Sequence, residues 1–245
     1  MAVAPALLVE GLSYTYPGGR QALRTVSFSI SPAERVALLG PNGAGKSTLF
    51  WCLVGILRGE GRVVVDGSEL APGAEAEVRR KLGLGFSEPE DQLFMSTVER
   101  DIAFGPRAAG DSQEEADRKV LLAAQQVGLN RDLLGRAPHE LSSGERRRAA
   151  LAAILALEPV VLALDEPTNS LDAPGREALC STLAGLPCTQ LIATHDLEFA
   201  MALCARALVL SDGRLVADQP TSTLMQDRDR LVEYGLAMRA EPNHG

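Results

Sequence analysis

The stretch LLGPNGAGKSTLF, residues 38–50, places three glycines and a lysine between an aliphatic run and the start of a helix. Glycine inside regular structure costs about 0.5–1 kcal/mol relative to alanine, so the bare backbone must serve something. Gly40 to Thr48 match G-x-x-x-x-G-K-[ST], with Pro41, Asn42, Gly43 and Ala44 between the two fixed glycines Gly40 and Gly45. In this pattern Gly43 and Gly45 let backbone N–H groups turn inward around an anion, which a side chain would block. Lys46 brings positive charge to β- and γ-phosphates, Ser47 offers a hydroxyl to Mg²⁺, and the following helix aims its positive end at the phosphates.

The flanks agree with that reading. RVALL, just before the loop, is an unbroken aliphatic run of the kind that buried parallel strands carry, and a helix is expected from Lys46. Upstream, LLVEGLSYTY and VSFSI read as antiparallel strands joined by the turn PGG. Downstream, GRVVVDG is a strand, EAEVRRK a helix and LGLGF a short strand. From Val98 to Ala156 the periodicity becomes helical, as in EEADRKVLLAAQQVGL. Strand signals return with VVLAL, QLIAT and RALVLSDGRLVAD. The expected organisation is a single domain over 1–245. An α/β core, about 1–86 and 157–220, is interrupted by a helical block of about 87–156, and one amphipathic C-terminal helix follows over about 221–238.

Two further groups extend the phosphate site. VVLALDEPTNSLD sets Asp165 and Glu166 at the C-terminal end of a buried strand, where ligands of α/β sheets sit. Asp165 is expected to hold Mg²⁺, directly or through water, and Glu166 to polarise an attacking water. In LIATHDLEF, His195 ends another aliphatic strand at the same sheet edge, as a candidate γ-phosphate sensor.

The rest of the composition narrows the function class. Hydrophobic residues make up 46% of the 245, enough for a sizeable core, and net charge is −8. An acidic balance speaks against general nucleic-acid binding, which needs basic patches. Cys52, Cys180, Cys188 and Cys204 form no C-x-x-C pair, and three histidines give no zinc spacing, so buried thiols in a reducing cytosol are expected. The N-terminal MAVAPALLVEGLSY reads as a strand rather than a signal peptide. Glu158-Pro159 splits the longest apolar run into pieces too short for a bilayer, so work at a membrane is expected through partners on its cytoplasmic side. The arginines Arg146 to Arg148 read as a solvated helix face.

These motifs, together with LSSGERRR from Leu141 to Arg148, resemble the ATPase subunits of ABC transporters from Tyr14 to about Asp218. The resemblance implies an α/β fold. It has a P-loop NTPase (RecA-like) core, an N-terminal antiparallel β subdomain and an inserted α-helical subdomain, with ATP and Mg²⁺ as cofactors. It places Tyr16 against adenine, with Tyr14 as the alternative. It also makes Leu141, Ser142, Ser143, Gly144 and Glu145 a signature, whose Ser142 and Gly144 face the γ-phosphate bound by a second ATPase subunit. A dimer sharing two sites follows, with SLD, Ser170 to Asp172, crossing the interface and His195 as switch; intact half-sites favour a homodimer. Two departures stand out. Ser143 replaces a glycine of the signature. Ser87 replaces the usual glutamine after Phe86, so either water bridges the gap or a relay is weakened, with Glu88 a possible stand-in.

A narrower resemblance is to energy-coupling factor importers. Its residues are EPEDQLFMSTVERDIAFGP, where Gln92 begins a short helix, HELSSGERRRAALAAILALEP and THDLEFAMALCARALVLSDGRLVAD; HDLEFA and LVEYGL look most like the cobalt/nickel type. This implies an ATP-hydrolysing motor coupled to integral membrane coupling and substrate-binding subunits, importing cobalt, nickel or a vitamin. A conventional ABC transporter ATPase is the alternative. An ABC-type ATPase acting on DNA or the ribosome is disfavoured by the single P-loop, the lack of long heptads and the acidic charge. A non-catalytic regulator is disfavoured by intact Lys46, Asp165, Glu166 and His195.

Overall fold

The computed structural model describes residues 4–88 and 92–237. Its centre is a six-stranded sheet. In chain order the strands are β3 (Arg35–Leu39), β6 (Leu82–Gly85), β7 (Val161–Asp165), β8 (Thr189–Ala193), β9 (Arg206–Ser211) and β10 (Arg214–Pro220). They lie side by side as β10-β9-β3-β8-β7-β6, all parallel except the β9–β10 hairpin. A second, antiparallel sheet is ordered β2-β1-β4-β5, from β1 (Leu7–Thr15), β2 (Gln21–Ile30), β4 (Glu60–Val65) and β5 (Ser68–Glu69).

The unbroken aliphatic strands are explained by burial on both faces. Side chains alternate across a strand, and here each side meets a different apolar cluster. Val36, Leu38, Val161, Ala163, Leu191, Leu208 and Leu210 join the antiparallel sheet and helix α1 (Lys46–Leu53). Ala37, Leu39, Leu162, Leu164, Ile192, Ala207 and Val209 join the helices on the other side. On that side lie α3 (Val98–Ala108), α4 (Gln113–Gln126) and α5 (Ser143–Leu155), together with the helices that follow β7 and β8, while α2 (Glu75–Lys81) precedes them in the chain. α3, α4 and α5 pack mutually, and α5 also packs on β6. The helical block therefore shares one continuous core with the parallel sheet. α6 (Ala173–Ala184) and α7 (Leu197–Leu203) follow β7 and β8.

The C-terminal segment corrects one expectation. In place of a single helix over 221–238 there are two, α8 (Thr221–Gln226) and α9 (Arg228–Glu233), and residue 238 lies outside the described residues. Asp227 sits between them with non-helical backbone, and its carboxylate accepts from the Arg230 N–H. An aspartate that caps the next turn competes with helix continuation, which is why the charged run DRDR breaks the pattern.

The β9–β10 hairpin ties the two sheets to the phosphate loop. At its tip Gly213 donates its N–H to the Ala44 carbonyl at 3.0 Å and accepts from the Arg24 N–H at 2.7 Å. At its base Arg206 donates to both Asp218 carboxylate oxygens, to Glu34 and to the Ser29 carbonyl.

Candidate functional site

The parallel strands deliver the chemistry. β3 runs into the glycine loop, β7 ends at Asp165 and β8 is followed by Thr194 and His195, all at the carboxyl edge of neighbouring strands. A cleft of about 300 Å³ opens there, lined by Tyr16, Pro41, Asn42, Gly43, Gly45, Lys46, Ser47, Thr48, Asp165 and Glu166 among others. The expected loop and acidic residues thus meet in one place.

The glycines follow from crowding. A side chain on Gly40 would run into the Leu210 carbonyl, and one on Gly45 would approach the Ala22 carbonyl to 2.6 Å. Gly43 and Gly45 also have φ of 81° and 109°, in the left-handed region. Ala44 points the other way: its methyl is buried in the core beneath the loop, so it serves the site only through its backbone.

Lys46 is buried, donates to the Gly40 carbonyl at 2.6 Å, and lies 3.5 Å from Glu166 Oε1. The other oxygen, Glu166 Oε2, meets His195 Nδ1 at 2.8 Å and accepts from the His195 N–H at 3.2 Å. Glu166 reaches both because its backbone is left-handed, φ 47°, and its N–H donates to the Ala193 carbonyl at the end of β8. A non-glycine residue held in that region marks a position that its surroundings over-determine. One carboxylate therefore links the lysine of the loop to the histidine of the next strand.

Asp165 lies deeper. Burial pushes its carboxyl above the ordinary range, against the pull of a hydrogen bond from Ser47 and the charge of Lys46, while Glu166 adds to the rise. Its Oδ1 is buried without a hydrogen-bond partner. An orphaned carboxylate oxygen beside a serine hydroxyl is a hard-oxygen donor pair, which suits Mg²⁺.

Four cleft residues were not among the site residues expected: Arg20, Ala22, Pro41 and Trp51. Arg20 lines the outer wall, and Trp51 lines it from α1. The sequence carried a signal for Trp51, which is four residues after Ser47 and so on the same helix face. Arg20 follows the PGG turn and stands across the hairpin neck from Tyr16, whose N–H donates to the Arg20 carbonyl at 2.9 Å. Tyr16 itself has its hydroxyl 3.0 Å from Thr48 Oγ1, with Tyr14 packed edge-on against the ring. Of the two tyrosines, Tyr16 is the one that lines the cleft.

The signature residues lie elsewhere. Ser142 caps α5, and Glu145 accepts from both the N–H and the hydroxyl of Ser142, completing a reciprocal capping box. Leu141 is buried in the helical core, Ser143 is exposed, and Gly144 borders a second cavity, of about 540 Å³, with Arg147, Leu171 and Gly175. Within one chain the signature and the glycine loop face different cavities. The arginines correct the solvated-face expectation. Arg146 donates to the Leu141 carbonyl at 2.6 Å and Arg147 to the Pro167 carbonyl, fastening α5 to its own entry and to the loop after β7. Ser87 and Glu88 are not among the residues lining the phosphate cleft. Gln92 folds back on the end of β6, its amide donating to the Leu84 carbonyl and accepting from the Phe86 N–H. Residues 89–91 beside it lie outside the described ones.

The ABC transporter family model matches residues 23–169, spanning the glycine loop, the signature and the paired acids. The chain belongs to the ABC transporter family, as an ATP-binding domain. As an ABC ATPase it binds and hydrolyses ATP. A Streptomyces coelicolor protein, whose name goes no further than ABC transporter ATP-binding protein, is 49% identical over 96% of this chain and 91% of its own length. The energy-coupling factor transporter ATP-binding protein EcfA of Methanothermobacter thermautotrophicus is 40% identical over 94% of this chain and 76% of its own. The cobalt import ATP-binding protein CbiO of Rhodobacter capsulatus is 40% identical over 96% and 85%. Among solved structures, CbiO1 of Clostridium perfringens, part of the transporter complex CbiONQ, superposes with a TM-score of 0.82 at 32% identity over 96% of both chains. The ATP-binding cassette MJ0796, as a post-hydrolysis dimer with ADP and Pi, gives 0.79 at 26% identity over 88% of this chain and 98% of its own. The α/β P-loop fold expected from sequence is the fold observed. Among the described residues no helix is long and apolar enough to cross a membrane.

Proposed function

We propose that this chain is the ATP-hydrolysing subunit of an energy-coupling factor importer, moving a transition-metal ion of the cobalt or nickel type or a vitamin through separate membrane subunits. The observation that carries the motor assignment is the Glu166 carboxylate held between Lys46 and His195 beside the glycine loop. In the working site Lys46 and the loop amides of 43–48 hold the β- and γ-phosphates. Tyr16 stacks on adenine. Glu166 orients and polarises the water that attacks the γ-phosphorus, breaking its bond to the β-bridging oxygen and releasing ADP and phosphate. His195 fixes that carboxylate and meets the γ-phosphate. Ser47 and Asp165 fit a Mg²⁺ ion, which supplies neutralisation of phosphate charge. The likeness to the cobalt import and energy-coupling factor relatives supports the importer class.

The second cavity bearing Gly144 and Leu171 supports completion of each site in trans. Two copies of the chain, related by a two-fold axis, would put Ser142 and Gly144 of one against the γ-phosphate of the other, making a homodimer with two equal sites. Attachment is peripheral, at the cytoplasmic face, through the membrane subunits. The MJ0796 cassette, nearly as similar in structure, supports the second reading, a conventional ABC transporter ATPase. Co-purification from mildly solubilised membranes separates them. A small transmembrane coupling subunit with an integral substrate-binding protein supports the energy-coupling reading. A permease pair with a soluble binding protein replaces it with the second.

A further inference from the structure

Two cations line the phosphate cleft in different circumstances. Lys46 is buried and already engaged with the Gly40 carbonyl and with Glu166. Arg20 is exposed at the cleft wall, and its Nη2 donates to the carbonyl of Gly43 at 3.3 Å. Among the described residues no carboxylate pairs with Arg20. A guanidinium carries five N–H donors in a planar fork, so most of its capacity is uncommitted.

Its place is also fixed. The Tyr16 N–H donates to the Arg20 carbonyl, and the Gly19 N–H donates to the Tyr16 carbonyl, closing the turn just before it. The tyrosine hydroxyl is in turn tied to Thr48 on α1. Arg20 is therefore held at a set offset from both the ring at one end of the cleft and the glycine loop at the other. Charge makes the same demand. Lys46 and Arg20 face Asp165 and Glu166 across the cleft, so the protein groups already balance, and Lys46 is shared with Glu166. A nucleotide's phosphates add negative charge that Mg²⁺ and one engaged lysine offset only in part.

We propose that Arg20 is a second phosphate-binding cation, gripping the nucleotide's phosphate chain from the outer wall while Lys46 holds it from beneath the loop. A guanidinium suits this because it binds phosphate oxygens through two parallel N–H groups. The proposal rests on the cleft being the ATP site.

Trp51, the sole tryptophan of the chain, lines the same cleft and serves as an intrinsic probe of occupancy. The experiment titrates the full-length protein with Mg²⁺ and a non-hydrolysable ATP analogue, by Trp51 fluorescence and in parallel by calorimetry, at low and at high salt. Wild type is compared with Arg20→Ala, Arg20→Lys and Lys46→Ala, each checked for an unchanged melting curve. Arg20→Ala is expected to weaken binding about tenfold at low salt, about 1.4 kcal/mol. That gap should narrow at high salt because exposed charges are screened, and Arg20→Lys should recover part of the loss. No loss in Arg20→Ala, or a loss indifferent to salt, overturns the proposal. If Lys46→Ala binds as tightly as wild type, the cleft is not the nucleotide site. A weakened Lys46→Ala beside an unaffected Arg20→Ala sinks the role of Arg20 alone.

Discussion

Glu166 answers to three neighbours at once: Lys46, the His195 ring and the His195 backbone N–H. Glu166→Gln keeps the shape and removes the charge that polarises water. Its ATP turnover is expected to fall by a factor of about 10² or more, within the usual range of losing a general base. It should also accumulate an ATP-bound dimer, visible on gel filtration with Mg-ATP. Turnover at the wild-type rate would remove Glu166 from the chemistry. Asp101 shows the cost of a buried acid with a structural task. Its Oδ1 accepts from the N–H groups of Phe94 and Met95 at 2.9 Å each, its Oδ2 is buried without a hydrogen-bond partner, and burial raises its carboxyl above the ordinary 3.8. A raised acid prefers its neutral form when folded, so the folded state holds the extra proton and stability falls as pH climbs from about 3.8 through the folded-state value. Asp101→Asn keeps an acceptor and never ionises. Its stability relative to wild type should therefore improve as pH rises through that window, measured by urea denaturation across pH. Asp101→Ala strands both donors and should cost about 1–3 kcal/mol.

At the scale of elements, α5 shows local chemistry and tertiary placement acting together. Its N-terminus is fixed by the Ser142–Glu145 capping box, with basic residues Arg146 and Arg147 fastened to backbone carbonyls rather than to solvent. Ser142→Ala removes the hydroxyl that accepts from the Glu145 N–H, and is expected to lower stability by about 1 kcal/mol. Unfolding of the nucleotide-free protein measures that. If the same hydroxyl also completes the partner's site, turnover should drop by more than the stability loss explains, whereas turnover that merely tracks stability would confine Ser142 to capping. The α3 start follows the same logic through Thr97, which accepts from the Arg100 N–H. The thiols were expected to be buried, and only Cys52 and Cys204 are; burial pushes both up to about 12, while Cys180 within α6 and Cys188 just before β8 are half-buried.

At the scale of the whole molecule the two sheets share a buried apolar cluster, and Arg206 adds a polar link between them. It reaches Asp218 within the hairpin, Glu34 in the turn before β3, and the Ser29 carbonyl of β2. Its guanidinium is held charged by the Asp218 and Glu34 carboxylates despite partial burial. Arg206→Ala should cost about 1 kcal/mol, because the carboxylates and carbonyl it leaves keep access to water. Because Gly213 at the far end of that hairpin clasps Ala44 and Arg24, ATP affinity should fall with it, a coupling that a binding titration alongside the melt would detect. Unchanged affinity in a destabilised variant would separate the hairpin's base from its grip on the loop.

The amino-acid order alone determined the strand and helix sequence, the glycine loop, the paired acids and the histidine. Each rests on local rules: a period of two or 3.6, a turn that only glycine admits, an acid or imidazole at a strand end. Asp227 eluded that reading because DRDR is amphipathic by pattern, while the choice between capping and continuing a helix depends on where α9 must go. Arg146 and Arg147 were read as solvated for a related reason, since their acceptors are carbonyls, which no side-chain pattern records. Only the tertiary structure brought Arg20 and Trp51 into the cleft and set Glu166 between Lys46 and His195. It also faced the signature toward a different cavity from the loop. The Arg20–Gly43, Glu166–His195 and Lys46–Glu166 contacts join residues 23, 29 and 120 positions apart, and they exist only once two layers of packing have fixed which strand lies beside which.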